Sequence, residues 1–365
     1  MAFQGFSSKE KVNGNQAIRA FRRPANQGKG PVFWSGFFAV VLLAIIYPMF
    51  SDGYTIGNNV YFLIWTFMAM GLSVIWGYGG ALSFGQTAFF GVAGYAYGVL
   101  TINIGDAYGL TLVALVLAIL LSGLFAAIIG YFLFYGRITG VFLGIVTLSV
   151  TLVLERFMAQ TAGPEWAIGK ARLNGFNGMS GMPPITIPWL GDSIALYPDI
   201  GLYYVVLGLV LIVYLGLRIL LNSPFGNVLV AIRENPQRAE MLGYDVRLYQ
   251  WGAFIIGSML AGLSGILYTA WGQYITPSSM SITAAALPIV WVAVGGRSDI
   301  TATLIGTILV LAGFQALTIY GAQYALIVMG ALLVFTVLLA PQGIVLGLAN
   351  LVGRVLFFKQ KRSAS

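Results

Sequence analysis

The sequence of 365 residues contains no cysteine and no histidine, and only 8% of its residues are charged. Without thiols and imidazoles the chain has no disulfides, no Cys or His metal ligands, no cysteine nucleophile and no histidine proton shuttle. A soluble domain carries roughly 25% charged residues, so these few charges are not enough to cover a globular surface in water. We therefore expect no catalytic residue, no metal and no cofactor in this chain.

What the sequence does contain is long apolar runs, since hydrophobic residues make up 59% of it. A membrane-spanning helix needs roughly 20 such residues. Runs of suitable length lie near 32–50, 60–76, 81–104, 110–135, 138–158, 201–221, 249–272, 300–319 and 323–348, and a shorter run lies near 284–295. The sequence therefore predicts an all-α polytopic membrane protein with about ten transmembrane helices, one of them a short or half-helix.

The distribution of charge predicts the orientation. With ten spans both termini lie on one side, and sixteen of the 19 Lys and Arg residues fall on that side, leaving only Arg156, Lys170 and Arg172 on the other. Because basic residues concentrate on the cytoplasmic side, residues 1–30 and 351–365 are predicted to be cytoplasmic basic tails. This placement accounts for the net charge of +8 through topology and anionic lipid, so no nucleic-acid partner is expected.

Two loops of the predicted transmembrane domain, residues 31–350, are long enough to have structure of their own. The external loop, 159–200, is rich in Gly, Asn and Pro, which indicates turns. It is either a surface loop packed on its own aromatic residues or a docking surface for an external partner.

The cytoplasmic loop, 222–247, combines apolar and charged residues in short helical segments. Pro224 suits a first helical turn, Pro236 must interrupt the helix, and Gly243 suits a helix terminator. The loop therefore predicts two short helices, one on each side of Pro236. Acidic residues alternate with basic ones, which favours a protein partner over the lipid interface, although both remain open.

Ordered motifs in the chain resemble those of a known family. Residues 80–95 read Gly-Ala-Leu-Ser-Phe-Gly-Gln-Thr-Ala-Phe-Phe-Gly-Val-Ala-Gly-Tyr, and the cytoplasmic loop contains Ser-Pro-Phe-Gly, Ala-Ile-Arg-Glu-Asn and Leu-Gly. Further matching motifs lie at 139–148, 261–268, 277–279 and 341–344. Together they resemble the branched-chain amino acid ABC transporter permeases (LivM-like), a family that also includes urea and short-amide permeases.

The resemblance implies an ABC importer permease fold in a bacterial plasma (inner) membrane. It also implies three kinds of partner: a second permease subunit, expected to be a homologous hetero-partner, ABC ATPase subunits, and an extracytoplasmic solute-binding protein. The ATPase is expected in a separate chain, because no Gly-x-x-x-x-Gly-Lys-Ser/Thr phosphate loop occurs here. The residues expected to couple to it are Ile232, Arg233, Glu234, Asn235, Arg238, Ala239, Leu242 and Gly243.

The expected function is ATP-driven import of branched-chain or related amino acids by alternating access. Possible translocation-path residues are Ser83, Gly85, Gln86, Phe89 and Gly94. Small residues such as Gly94, Gly257 and Gly265 suit close helix packing, whether static or sliding, and the Gln86 amide could instead bond to a neighbouring helix.

The alternatives are a urea or short-amide permease, and an ATP-independent channel or secondary carrier, which would need ionisable residues at mid-span. A membrane enzyme would need clustered Asp, Glu, His or Cys residues.

Overall fold

The computed structural model describes residues 31–105, 109–189 and 192–349. Both predicted basic tails lie outside this part of the chain. The α-helices, in chain order, are α1 (Pro31–Ile46), α2 (Gly53–Leu72), α3 (Gln86–Leu100), α4 (Thr111–Tyr135), α5 (Gly140–Ala159), α6 (Ile200–Asn222), α7 (Pro224–Glu234), α8 (Pro236–Met241), α9 (Val246–Gly272), α10 (Ile282–Gly295), α11 (Ile300–Thr318) and α12 (Ala322–Leu339). Residues 344–349 are again helical.

Most of these helices have the length and composition of membrane spans. Eight helices of the described chain, some extended by 3-10 or π-helical turns, are long and apolar enough to cross a membrane, and α10 and α12 are shorter apolar helices. The protein is therefore an all-α polytopic membrane protein, as the apolar runs predict. The run near 284–295 corresponds to α10, which has only 14 residues.

The start of two spans differs from the prediction. The run near 60–76 belongs to α2, which already begins at Gly53 because the Asp52 carboxylate caps its first turn by accepting the Thr55 backbone N–H. The run near 81–104 is helical only from Gln86 onward. Hydropathy reports burial in lipid but not backbone conformation, so it does not locate a break in the helix.

Close packing of small residues holds α9 in the centre of the bundle, against α2, α3 and α4. A Cβ atom on Gly257 would collide with Gly71 of α2, and one on Gly265 would collide with the Phe90 carbonyl of α3. The Ser264 hydroxyl donates a 2.9 Å hydrogen bond to the Ile64 carbonyl across the same α2–α9 contact. Lipid provides no hydrophobic force between helices, so such contacts are what hold them together.

The loop predicted to be external, residues 159–200, for which we keep the name external loop, has its own structure, which includes short antiparallel strands. Strand β1 (Ala167–Ile168) pairs with β2 (Ala171–Arg172), and β4 (Ile185–Trp189) pairs with β5 (Asp192–Leu196). Strand β3 (Met179–Ser180) pairs with β6 (Tyr274–Ile275), which directly follows α9. The loop is thereby fastened to the end of the central helix.

The loop predicted to be cytoplasmic, residues 222–247, forms the two predicted helices, α7 and α8. Asn235 separates them and caps α8 by accepting the Arg238 backbone N–H at 2.9 Å. Gly243 ends the pair with φ of +88°, a conformation that side chains strongly disfavour. We refer to residues 222–247 as the coupling loop, and to the end of the bundle that carries it as the loop end.

Candidate functional site

The predicted path residues lie where α2 is succeeded by α3. After a π-helical stretch at Ser73–Tyr78, residues 79–85 form no regular secondary structure, and α3 begins at Gln86. We name residues 79–85 the break. Irregular backbone at membrane depth is tolerated only where it is buried in protein or lines a cavity.

Helix α5 provides the polar partners that the break needs. The Phe84 backbone N–H donates to the Thr147 hydroxyl at 3.1 Å, and the Thr151 hydroxyl lies 3.5 Å from the Phe84 carbonyl. Within the break, the Ser83 hydroxyl accepts the Gly85 N–H at 3.1 Å. Thus Ser83 and Gly85 shape the start of α3, and Thr147 and Thr151, which the sequence analysis does not single out, hold that start in place.

The first turns of α3 are buried and polar. Gln86 and Phe89 are each only 1% exposed, and Gly94 packs against Thr269 and Gly265 of α9. Neither the nitrogen nor the oxygen of the Gln86 amide has a hydrogen-bond partner among the described residues. The alternative that Gln86 bonds to a neighbouring helix is therefore not found in this structure.

Unpartnered polar atoms are concentrated on α3. Buried polar groups in native proteins nearly always have partners, so a cluster of exceptions requires an explanation. In the described chain, five of the eight unpartnered buried side-chain atoms belong to α3, and the others to α2, α9 and α10. They are Trp65 Nε1, Gln86 Nε2 and Oε1, Thr87 Oγ1, the Tyr95 and Tyr97 hydroxyls, Ser258 Oγ and Trp291 Nε1.

A group of aromatic side chains packs around Phe90 of α3, one turn beyond Gln86. Phe90 stacks on Trp65 with ring centroids 5.0 Å apart and planes at 5°, and Trp291 lies 5.4 Å from Trp65. Tyr268 lies 5.4 Å from Phe90 and continues the group along α9. We name Trp65, Phe90, Tyr268 and Trp291 the aromatic cluster. Because its members come from four separate helices, no local sequence motif identifies it.

The coupling loop is bonded to the π-helical stretch that leads into the break and packs against the break itself. Arg233 Nη1 donates a 2.6 Å hydrogen bond to the carbonyl of Gly77, at the end of the π-helical stretch. Gly80 has φ of +73°, and a Cβ atom there would lie 3.2 Å from the Arg233 Cα. The Gln250 amide reaches the Gly79 carbonyl at 3.4 Å. The coupling loop therefore contacts the backbone that precedes α3.

A cavity of about 170 Å³ separates part of the coupling loop from the bundle. Its walls include Gly80, Phe134, Thr139, Ile232 and Gln250. Arg233 also lines this cavity, so the coupling loop borders both the cavity and the break.

The predicted coupling residues divide between two surfaces. Ile232 and Ala239 are buried and attach the loop to the bundle, while Arg233 is half-buried at the break. Arg238, Leu242 and Gly243 are exposed, as is Glu234, whose carboxylate pairs with Arg233 at 2.6 Å. Met241 and Leu242 are 88% and 71% exposed, so the loop presents an apolar tip outside the bundle.

Asp299 lies at the loop end, at the N-terminus of α11. Its carboxylate accepts the Ala302 backbone N–H at 2.8 Å and is only 7% exposed. Burial raises the pKa of this carboxyl above its ordinary value, against the opposing effects of the Ala302 hydrogen bond and of Arg218. Among the described residues, no three or more Asp and Glu side chains group as metal ligands would.

A second cavity, of about 540 Å³, lies at the opposite end of α3, beneath the external loop. Tyr95, Val99, Leu121, Phe157 and Trp166 contribute to its walls. The unpartnered Tyr95 hydroxyl and the Glu165 side chain are the polar features of an otherwise apolar lining.

Comparison with known proteins agrees with this architecture. The profile of the family described as branched-chain amino acid transport system / permease component matches residues 55–337. The chain belongs to this permease family. The matched region contains the break, α3, the coupling loop and the aromatic cluster, and the resemblance seen in the sequence motifs is confirmed.

Several transport permeases are similar to this chain. The high-affinity branched-chain amino acid transport system permease protein LivM of Escherichia coli (strain K12) is 26% identical over 331 residues, covering 84% of this chain and 73% of the relative. LivM of Salmonella typhimurium (strain LT2) is 25% identical over the same shares. The probable branched-chain amino acid transport permease protein LivH of Methanocaldococcus jannaschii is 32% identical over 161 residues, 40% of this chain and 48% of the relative. No solved structure matches.

Proposed function

We propose that the chain is the transmembrane permease subunit of an ATP-driven importer for branched-chain or related amino acids. Family membership supports a role in transport, and the printed names of the relatives support the substrate class. The observation that carries the ATP-driven part is the hydrogen bond from Arg233 to Gly77, because it links a loop with an exposed tip to the π-helical stretch that leads, through the break, into α3.

In the proposed mechanism this chain forms the path and performs no covalent chemistry. ATP is hydrolysed in a separate subunit that binds the exposed tip of the coupling loop at Arg238, Leu242 and Gly243. Closure of that subunit moves α7, and Arg233 carries the movement to the break. The start of α3 then alternates between states open to the outside and to the cytoplasm.

The partners follow from the same proposal. A second permease subunit, homologous to this chain, completes the path; relatives named LivM and LivH both match the chain. A solute-binding protein docks on the external loop, 159–200. The chain lies in the inner membrane of a bacterium, with both termini in the cytoplasm, where the basic tails meet anionic lipid.

Affinity purification of the chain from its native membrane, followed by mass spectrometry of the bound proteins, tests the assembly. Recovery of an ATPase and a second permease supports the proposal. Recovery of the chain alone, in a detergent that keeps other ABC complexes intact, would refute it. Uptake of labelled leucine and of labelled urea by the same membranes distinguishes the amino acid permease from the short-amide alternative.

The orientation is tested with single cysteines, because the chain has none of its own. Met241→Cys and Phe176→Cys place thiols at positions that are 88% and 74% exposed at opposite ends of the bundle. A membrane-impermeant maleimide added to intact cells should label the second variant and spare the first. The reverse pattern would invert the proposed topology.

A further inference from the structure

The N-terminus of α3 lies inside the bundle. Phe84, two residues before the helix, is bonded to Thr147, which is seven residues into α5. At 1.5 Å per residue, Thr147 lies about 10 Å from the end of its helix. The positive end of the α3 dipole, with its free N–H groups, is therefore at membrane depth.

No side chain caps this helix. Gly85 occupies the N-cap position, and its carbonyl accepts the N–H groups of Ala88 and Phe89 at 3.0 and 3.4 Å. The N–H groups of Gln86 and Thr87 precede the first residue that an intrahelical bond can satisfy. A helix end buried without such partners is unusual and indicates a site for a ligand.

The side chains around this helix end provide an independent observation. Gln86 and Thr87 are each 1% exposed, and neither has a partner. Ser258, also unpartnered and fully buried, lies on α9 one turn before Gly262, where an added Cβ atom would lie 2.6 Å from the Ser122 Oγ of α4 and 3.2 Å from the Ala93 Cβ of α3. Ser258 is therefore on the face of α9 that meets α4 and α3.

The chemistry of these groups matches one ligand class. Backbone N–H groups, the Gln86 Nε2 and two hydroxyls form a set dominated by donors, which suits a carboxylate. The Gln86 Oε1 is an acceptor and suits the adjacent ammonium group. Phe90, one turn further on the same face as Gln86, stacks with Trp65 and offers an apolar surface.

We propose that the N-terminus of α3 binds the carboxylate of the transported amino acid, with Gln86 and Thr87 as its side-chain ligands. Ser258 completes the donor set, and the aromatic cluster receives the apolar side chain of the substrate. This inference rests on the proposed function and names the part of the substrate that the path recognises. The separation of a polar contact from an apolar one explains selection of amino acids with hydrocarbon side chains.

The site is closed in this structure, because Gln86, Thr87 and Phe90 are essentially inaccessible. A substrate reaches it only when the start of α3 separates from its neighbours. The break, which the coupling loop holds through Arg233, is the element that permits this separation. Site opening and loop movement are thereby one event.

Binding measurements on the intact assembly test the subsite. The full chain, with the subunits that copurify, is placed in nanodiscs without the solute-binding protein, and the affinities for labelled L-leucine and L-leucinamide are compared. The wild type should bind leucine at least about tenfold more tightly than leucinamide, which lacks the anionic carboxylate; tenfold corresponds to about 1.4 kcal/mol. Gln86→Leu and Thr87→Val should each lower leucine affinity by about tenfold or more.

Two controls separate binding from folding. Thr307→Val removes a buried hydroxyl that bonds only to Thr303 of its own helix, and it should bind leucine as the wild type does. Gln86→Leu should keep or raise thermal stability, because an apolar side chain replaces an unsatisfied amide. Loss of leucine binding in a variant that is at least as stable as the wild type is the expected signature.

Other outcomes would overturn the subsite while leaving the importer in place. They are equal affinity for leucine and leucinamide, unchanged leucine affinity in both α3 variants, or no leucine binding by a complex that imports leucine. Binding of urea or acetamide in place of leucine would also overturn it. Absence of both a copurifying ATPase and leucine uptake would instead refute the proposed function, and the subsite with it.

Discussion

Arg233 of the coupling loop and Gly77 of the π-helical stretch that follows α2 lie far apart in sequence but are joined by a 2.6 Å hydrogen bond from the guanidinium to the backbone carbonyl. Gly77 lies near the end of the π-helical stretch Ser73–Tyr78, an irregular turn of the kind often found at functional sites. A charged donor on a free carbonyl is among the stronger hydrogen bonds in proteins. One side chain thus joins the coupling loop to the backbone that leads into the break and α3.

Replacing Arg233 should uncouple the loop from the path. In Arg233→Ala the Gly77 carbonyl loses its donor, and leucine uptake should fall by about tenfold or more, equivalent to about 1.4 kcal/mol. ATP hydrolysis by the complex should persist but lose its stimulation by the loaded solute-binding protein. Arg156→Ala, an 80% exposed side chain at the opposite end of the bundle, is the control and should transport normally. Normal uptake by Arg233→Ala would contradict the linkage.

The Thr147 hydroxyl should be required to keep the break in its conformation. Thr147→Val preserves the shape of the side chain but leaves the Phe84 N–H without its acceptor, which costs about 1–3 kcal/mol for a buried group. Both thermal stability and uptake should decrease. Ser149→Ala removes an exposed hydroxyl that bonds only to Ile145 of α5 itself, and it should change neither. Equal effects of the two substitutions would show that the break does not depend on Thr147.

The contact between Gly71 and Gly257 should tolerate no added methyl group. A Cβ atom on Gly257 would collide with the Gly71 backbone, so Gly257→Ala must push α2 and α9 apart at a cost of about 1–3 kcal/mol. Gly216→Ala, in open space on α6, should instead raise the free energy of unfolding, because alanine favours a helix by about 1 kcal/mol over glycine. The measurement is the thermal unfolding of each purified variant, compared with that of the wild type. An increase in stability for Gly257→Ala would contradict the packing.

Asp299 should make the protein less stable as pH rises. Its folded-state pKa is raised above the ordinary value of 3.8, so the folded protein binds this proton more tightly than the unfolded chain does. The stabilising contribution is complete below pH 3.8 and is lost as pH increases through the raised pKa. Asp299→Asn keeps an acceptor for the Ala302 N–H and should flatten this part of the stability profile.

Asp199→Asn provides the comparison for that pH series. Asp199 is an exposed cap that accepts the Gly201 N–H at 2.8 Å, so Asp199→Asn makes the same substitution at a helix cap outside the buried site. Thermal unfolding is followed for the wild type and both variants across the same acidic to neutral range. A steeper profile for Asp299→Asn than for the wild type would show that burial does not dominate at Asp299.

Features with a local cause could be predicted from the sequence. Proline and glycine act on the backbone where they stand, so Pro236 and Gly243 predict the two helices of the coupling loop correctly. Long apolar runs likewise predict the spans, because lipid imposes a length on any helix that crosses it. The two-residue strands of the external loop lack such a signal, since they carry too few residues for an alternating pattern.

The candidate site could be predicted only in part. Gln86 stands out as an amide in an apolar run, and its role in a translocation path with Ser83, Gly85, Phe89 and Gly94 stays a prediction. That α3 begins at Gln86 could not be read from hydropathy, although Gly79, Gly80 and Gly85 are a signal of irregular backbone. Thr147, Trp65 and Trp291 reach the site only through tertiary packing, so a single sequence does not connect them with Gln86.

The claim that the coupling loop docks on an ATPase is tested most directly by cross-linking from single cysteines in the native complex. Leu242→Cys places a thiol at the exposed tip of the loop. Tyr54→Cys places one at a 77% exposed position in the first turn of α2, at the end of the bundle opposite the loop end. With a photoactivatable cross-linker on each thiol and mass spectrometry of the products, the ATPase should be captured from Leu242→Cys and not from Tyr54→Cys. Failure to capture an ATPase from Leu242→Cys, or its capture from Tyr54→Cys instead, would contradict the account.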